Sequence, residues 1–283
     1  MKDSSVHRTQ SGRVFALFCW SALALTAQAQ EPEHLFHDSH FHLTNYIQEG
    51  TDIHDFLEIM GNTVGRSTLF GIPLQQTWSY ANTGDYAPTY YLHTDAPLYY
   101  YSFTDAYIAQ VYNSLDASDK ARFDPMITGF NPADMYAADH IRRVLMTFPG
   151  VFSGIGEFSI HKEFVSSKVA GNTASLINPA LDRILDFAGE TGLAVILHCD
   201  IDIPFQGAGK LPAYREQLGD LARRHPDVTL IWAHIGLGRV VFPPGASGGS
   251  APPKEDSPRY LDMMEEALED PSVSHVPVSY THL

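Results

Sequence analysis

His40 and His42 stand two residues apart in Asp38-Ser39-His40-Phe41-His42. Side chains at that spacing on a β-strand share a face, so both imidazoles can reach one metal ion. The pair alone is a weak signal. The chain holds 14 histidines in 283 residues, and that frequency gives about 0.7 His-x-His pairs by chance. Position strengthens it. His198 closes the apolar run Leu193-Ala194-Val195-Ile196-Leu197, and His234 closes Leu230-Ile231-Trp232-Ala233. Glu157 ends Gly154-Ile155-Gly156 in the same way. The other histidines sort differently: His54 and His140 fall within helical stretches, and His225 sits at a helix end beside Pro226, where a cation is favoured. Each strand-end residue taken singly could be bonded to a neighbouring carbonyl. Four histidines and a carboxylate at the same ends of several strands argue together for a metal centre.

The elements that must position these groups alternate along the chain. Strands are expected at Leu35–Leu43, Ser67–Pro73, Asp124–Phe130, Val151–Phe158, Leu193–Cys199 and Val228–Ile235, with a seventh beginning at Ser272. Helices are expected near Asp52–Met60, over Thr104–Phe123 with an interruption at Leu115–Ser118, near Ala133–Phe148, and at Pro179–Gly189, Tyr214–Arg224 and Tyr260–Glu269. Their apolar residues recur at three- and four-residue steps, as in Ala137, Ile141, Val144 and Leu145. Continuous apolar strands between helices mean a parallel sheet covered on both faces. An open doubly wound sheet and a (β/α)8 TIM-type barrel both satisfy this. No Gly-x-Gly-x-x-Gly turn follows the first strand, which weighs against a dinucleotide-binding open sheet. In a barrel the C-terminal strand ends form one rim around one cavity. Nitrogen and carboxylate ligands converging there suit Zn²⁺, with Mn²⁺, Fe²⁺ or Ni²⁺ as alternatives.

Two long segments follow strands and would lie on that rim. Gln75–Phe103 is rich in tyrosine (Tyr80, Tyr86, Tyr90, Tyr91, Tyr99, Tyr100 and Tyr101) and reads either as a pocket wall or lid, or as a self-packed excursion or oligomer contact. Arg239–Arg259 is rich in Pro, Gly and Ser and reads as a flexible loop.

The N-terminus stands apart. Lys2, Arg8 and Arg13 lead into a short apolar run at Val14–Leu25, and Ala27-Gln28-Ala29 supplies a small-x-small cleavage pattern. Residues 1–29 are expected to be a signal peptide that sends the protein to the periplasm or outside the cell. The alternative, a permanent anchor, is disfavoured because the run is too short to span a bilayer. Its removal takes three basic residues and Asp3, reducing 18 basic and 33 acidic residues to 15 and 32, a formal charge of −17. Such a surface repels phosphate backbones, which excludes nucleic acid as an expected partner and leaves a small-molecule substrate. A homo-oligomer is compatible with the sequence. Cys199 is the one cysteine left, so no internal disulfide is expected.

The motifs Asp38-Ser39-His40-Phe41-His42-Leu43, Ile196-Leu197-His198 and Trp232-Ala233-His234-Ile235-Gly236 resemble the amidohydrolase superfamily, closest to its amidohydrolase-2 branch. The resemblance spans Leu35 to Val276. It implies a (β/α)8 barrel in which His40, His42 and His198 match metal-ligand positions. His234 matches the sixth-strand histidine, which holds a second metal or the substrate. Glu157 sits where a bridging glutamate stands in TatD-like relatives, which would allow two ions; as a loop-anchoring carboxylate it would leave one. The family's catalytic aspartate at the end of the eighth strand has no counterpart here. About six and a half β/α units are present, so the barrel is expected to be incomplete, over residues 30–276, and the chain as given inactive. Val278-Ser279-Tyr280-Thr281-His282-Leu283 resembles the translation of a transposon end used in sequencing-library preparation, so residues 277–283 are expected to be non-native and His282 is left out of the ligand set.

These residues point to a metal-dependent hydrolase in which activated water attacks a carbonyl or phosphoryl centre. His234 would steady the developing oxyanion or orient the substrate, and is the catalytic candidate. Asp38 would support the metal ligands from behind. Arg239, Asp200 and His161 are candidate substrate contacts. Cys199 alternates with His198 and should face the barrel wall as a core residue. Two other readings stand beside this one: a metal-dependent decarboxylase of aromatic or unsaturated acids, and an exported binding protein with a vestigial metal site.

Overall fold

The computed structural model describes residues 34–44, 49–72, 101–161, 174–201, 214–236, 265–266, 268–269, 271 and 276–279. They fall in one compact unit, His34–Leu283. The expected signal peptide, Arg239, His282, most of the tyrosine-rich segment and the Pro/Gly/Ser-rich loop lie outside the described residues. No helix among the described residues is long and apolar enough to cross a membrane.

Among the described residues, seven strands pair in the order in which they occur along the chain: β1 Phe36–Asp38, β2 Val64–Leu69, β3 Phe123–Ile127, β4 Gly154–His161, β5 Ala194–Cys199, β6 Leu230–Ala233 and β7 Val278–Ser279. Every neighbouring pair is parallel. A doubly wound sheet reverses its strand order at a switch point. This order never reverses, and the sheet with its intervening helices is an incomplete (β/α)8 TIM-type barrel. The expected start of the seventh strand at Ser272 lies outside the described residues; Val278 pairs with Trp232 and Ser279 with Ala233.

The helices form the outer layer because their apolar residues fall on one stripe. In the helix Pro179–Thr191, Asn178 accepts the N–H of Ala180, Pro179 opens the first turn, and Gly192 ends it in left-handed conformation. Leu181, Ile184 and Leu185 are fully buried on its inner face, each worth roughly 1.5–3 kcal/mol of burial. The helix Ile53–Met60 begins at Asp52, which accepts the N–H of His54, and buries Ile53, Phe56 and Met60. Inside the barrel a smaller apolar cluster of Phe70, Met126, Ile196 and Ala233 fills the space beneath the strand ends.

β1 ends at Asp38, short of the expected Leu43, and two further strands are shifted from the positions expected. β2 starts three residues earlier, at Val64, because Val64 pairs with Phe36 and the ladder shifts register across Gly65 and Arg66, which interrupt the apolar run. β4 runs Gly154–His161 instead of Val151–Phe158. Val151 and Phe152 are apolar and buried, but they belong to the segment leading into the strand.

Candidate metal centre

His40 and His42, expected within the first strand, lie in the extended segment just past the end of β1, which aims them by anchoring the residue between them. Phe41 stacks on Phe56 of the outer helix, with ring centroids 3.6 Å apart and planes 4° from parallel. With Phe41 fixed on the helix side, His40 and His42 turn to the opposite face. Backbone pairing continues past β1: Phe70 N–H donates to the Phe41 carbonyl and Leu43 N–H to the Phe70 carbonyl. The Phe70 ring meets both imidazoles edge-on, at 5.4 Å for His40 and 4.6 Å for His42. Asp38 accepts the backbone N–H of His40 at 2.9 Å, so it braces the chain behind the pair.

Glu157 comes from β4. Gly156, immediately before it, has φ +119°, and a Cβ there would lie 2.2 Å from the carbonyl oxygen of Ile196. Only glycine lets β4 approach β5 so closely at this point. His198 comes from β5 and His234 from the end of β6. Ala233 faces the barrel interior, so strict alternation would send His234 outward. Left-handed backbone at His234 (φ 38°) and Ile235 (φ 49°) turns the ring back toward the cavity, a conformation that costs non-glycine residues roughly 1–3 kcal/mol each. The turn is held from two sides: Trp232 Nε1 donates to the Cys199 carbonyl at 2.8 Å, and Ile201 N–H donates to the Gly236 carbonyl at 3.0 Å. These bonds bring the rings of His198 and His234 to 4.4 Å between centroids.

The five side chains meet around Glu157. Its Oε2 lies 2.7 Å from His42 Nε2 and 3.2 Å from His40 Nε2. Its Oε1 lies 2.6 Å from His198 Nδ1 and 3.7 Å from His234 Nε2. Two ligand triads result, His40–His42–Glu157 and Glu157–His198–His234, each with its atoms within 4.8 Å of one another. The carboxylate is their common member. Glu157 is 2% exposed and His42 25%, so the open side of the centre is at His42.

The outer ring nitrogens show which way the inner ones must act. His42 Nδ1 lies 3.0 Å from the carbonyl oxygen of Gly71. A carbonyl only accepts, so Nδ1 carries the proton, and in the neutral ring Nε2 presents a lone pair to Glu157. His198 Nε2 lies 2.9 Å from Asp200 Oδ1. Its Nδ1 lies 2.6 Å from Glu157 Oε1 and 2.9 Å from His234 Nε2, so this ring stands between two carboxylates. The lone pair of His42 Nε2 facing Glu157 at 2.7 Å is repelled unless a cation lies between them. Burial pushes His42 below the usual imidazole range, against the pull of Glu157, and does the same to His234. Neutral imidazole is the metal-binding form. The Nδ1 of His234 is buried and has no hydrogen-bond partner among the described residues. The donor set therefore fits one or two divalent ions bound by nitrogen and oxygen.

The remaining candidates are placed as follows. Asp200, a candidate substrate contact, has its Oδ1 2.9 Å from His198 Nε2, where a carboxylate can orient the ring. His161 stacks on Tyr214 with centroids 3.7 Å apart, its Nε2 is buried without a partner among the described residues, and burial lowers it to about 4. Cys199 is fully buried, and burial with Asp200 alongside pushes its thiol well above the ordinary range, as befits a core residue. Phe70 was not singled out from sequence; its place at the end of an apolar strand gave no chemical signal. A cavity of about 490 Å³ lined by Arg66, Tyr112, Lys120, Asp124 and Phe152 includes none of the five candidate ligands.

The chain is similar to proteins of one family. The family model described as amidohydrolase matches residues 37–280. No curated protein matches the chain. Among solved structures it is similar to 5-carboxyvanillate decarboxylase from Sphingomonas paucimobilis, at 17% identity and TM-score 0.36, covering 61% of this chain and 48% of that one. A second is 5-carboxyvanillate decarboxylase from Novosphingobium aromaticivorans complexed with manganese and 4-hydroxy-3-methoxy-5-nitrobenzoic acid, at 14% identity and TM-score 0.39, covering 65% and 49%. A third is 2,6-dihydroxybenzoate decarboxylase from Rhizobium, at 12% identity and TM-score 0.45, covering 88% and 87%. The chain thus spans about half the length of the first two. With the family model matched from residue 37 to residue 280, the chain belongs to the amidohydrolase family.

Proposed function

We propose that this chain is a metal-dependent hydrolase acting on a carbonyl or phosphoryl centre of a small molecule. The observation that carries this reading is the gathering of four imidazoles around one buried carboxylate, with His42 bonded outward to Gly71 so that its Nε2 lone pair faces Glu157. His40, His42 and Glu157 would hold one divalent ion, and Glu157, His198 and His234 a second. Zn²⁺ suits this nitrogen and oxygen set; Mn²⁺, Fe²⁺ and Ni²⁺ can take it. When bound, such an ion supplies Lewis acidity and makes water a nucleophile near neutral pH. Glu157 fixes the ligands to one another from the floor of the centre. His234, with Nδ1 unpartnered, can hold a proton there or bond a developing oxyanion. Arg239 would grip an anionic group of the substrate. The leader read at residues 1–29 would place this work in the periplasm or outside the cell.

The test is turnover by the metal-loaded protein on esters, amides, lactones, phosphoesters and aromatic acids. Hydrolysis that stops when metal is chelated is the expected result. Carbon dioxide release from aromatic acids without hydrolysis would replace the proposal with decarboxylation. Metal bound with no turnover of any class would replace it with a binding protein.

A further inference from the structure

We infer that Thr104 and Asp105 are positioning residues for His42, acting through the carbonyl of Gly71. This rests on the metal-binding reading of the centre. The two residues begin the helix Thr104–Ser114 and are 0% and 5% exposed. Asp105 Oδ1 accepts the N–H groups of Thr128 at 2.8 Å and Gly129 at 3.0 Å, and its Oδ2 lies 3.0 Å from the Gly129 nitrogen. The dipeptide is thereby tied to the end of β3. Its other side presses on the end of β2. A Cβ built on Gly71 would lie 1.8 Å from Thr104 Oγ1, and one built on Gly129 would lie 2.5 Å from Asp105 Oδ2 and 3.2 Å from Thr104 Cγ2. Glycines at both strand ends make room for one buried pair.

Thr104 Oγ1 makes no hydrogen bond among the described residues, so its contact with Gly71 is one of shape. That contact sets where the Gly71 carbonyl points. The carbonyl takes the Nδ1 proton of His42 and so aims Nε2 at Glu157, 2.7 Å away. The acceptor of a ligand histidine's outer N–H fixes both tautomer and ring orientation, and its loss typically costs 10–100-fold in metal affinity. Here that acceptor is a backbone oxygen, so side chains outside the centre must hold it in place.

The experiment titrates the full chain with Zn²⁺ alone against a competing chelator, alongside metal-free unfolding midpoints and ¹⁵N NMR of the His42 ring. Gly71→Ala should weaken Zn²⁺ binding about tenfold or more and remove the Nδ1–H tautomer of His42, and Thr104→Ala added to it should restore affinity to within about threefold by making room for the methyl. Asp105→Asn, which touches no ligand and keeps the side chain's volume, should weaken binding severalfold; it carries the test should Gly71→Ala not fold. A lowered unfolding midpoint with Zn²⁺ affinity of the folded variants unchanged would show a merely structural wedge and overturn the inference. Failure of Thr104→Ala to restore affinity would overturn it as well. If the unsubstituted chain takes up no Zn²⁺, the metal reading falls, and the tautomer measurement still decides whether Gly71 and Thr104 position His42.

Discussion

Asp200 Oδ1 lies 2.9 Å from His198 Nε2, two residues before it in the chain, and the opposite nitrogen of the same ring faces Glu157 at 2.6 Å. Asp200 therefore holds the ring from the side away from Glu157. Asp200→Ala should weaken Zn²⁺ binding about 10–100-fold, the range for loss of a partner that orients a ligand. A chelator competition titration measures this, and an unchanged affinity would remove Asp200 from the centre.

Glu157 should matter more, because both triads use it. Glu157→Gln keeps the size of the side chain but replaces an oxygen with a nitrogen that cannot act as a ligand. We expect metal content, measured by elemental analysis at saturating Zn²⁺, to fall by at least one ion per chain. The same content in both proteins would mean that the carboxylate is only a loop anchor.

Gly156 sets the approach of β4 to β5. A methyl there would meet the Ile196 carbonyl at 2.2 Å in a backbone conformation of φ +119°. Gly156→Ala should cost about 3 kcal/mol or more, combining overpacking with left-handed strain. Urea unfolding of the metal-free chain checks the cost, and a loss below about 1 kcal/mol would show that the strands part easily at this point.

His161 supplies a pH dependence. Its folded value of about 4 lies below the usual 6.5, with burial as the cause. The neutral ring is thus favoured by the fold, and the stability it contributes is present above about pH 6.5 and lost as pH falls toward 4. His161→Phe keeps a ring against Tyr214 and cannot be protonated. The difference in urea midpoint between variant and original chain should move in favour of the variant between pH 7 and pH 4. A constant difference would contradict the assignment.

The candidate ligands could be picked out of the sequence from period and position. His40 and His42 alternate around Phe41, and Glu157, His198 and His234 follow apolar runs expected as strands. What the sequence hid were relationships set by tertiary contact. Nothing local says that Asp200 folds back on His198. His234 would point outward on alternation alone, and the left-handed turn that reverses it has no signature beyond Gly236. Thr104 and Asp105 read as an ordinary helix start; only the two glycines brought against them by folding disclose their packing. The starts of β2 and β4 slipped by three residues for a related reason: apolarity marks burial, and ladder pairing can span a Gly65-Arg66 interruption, include His161, or leave out Val151 and Phe152.

Zinc-edge anomalous diffraction from crystals of the Zn²⁺-loaded chain bears on the central claim most directly. The account predicts density between Glu157 Oε2 and the Nε2 atoms of His40 and His42, and between Glu157 Oε1, His198 Nδ1 and His234 Nε2. Anomalous density at neither position, with the metal found elsewhere or absent at saturating Zn²⁺, would contradict it.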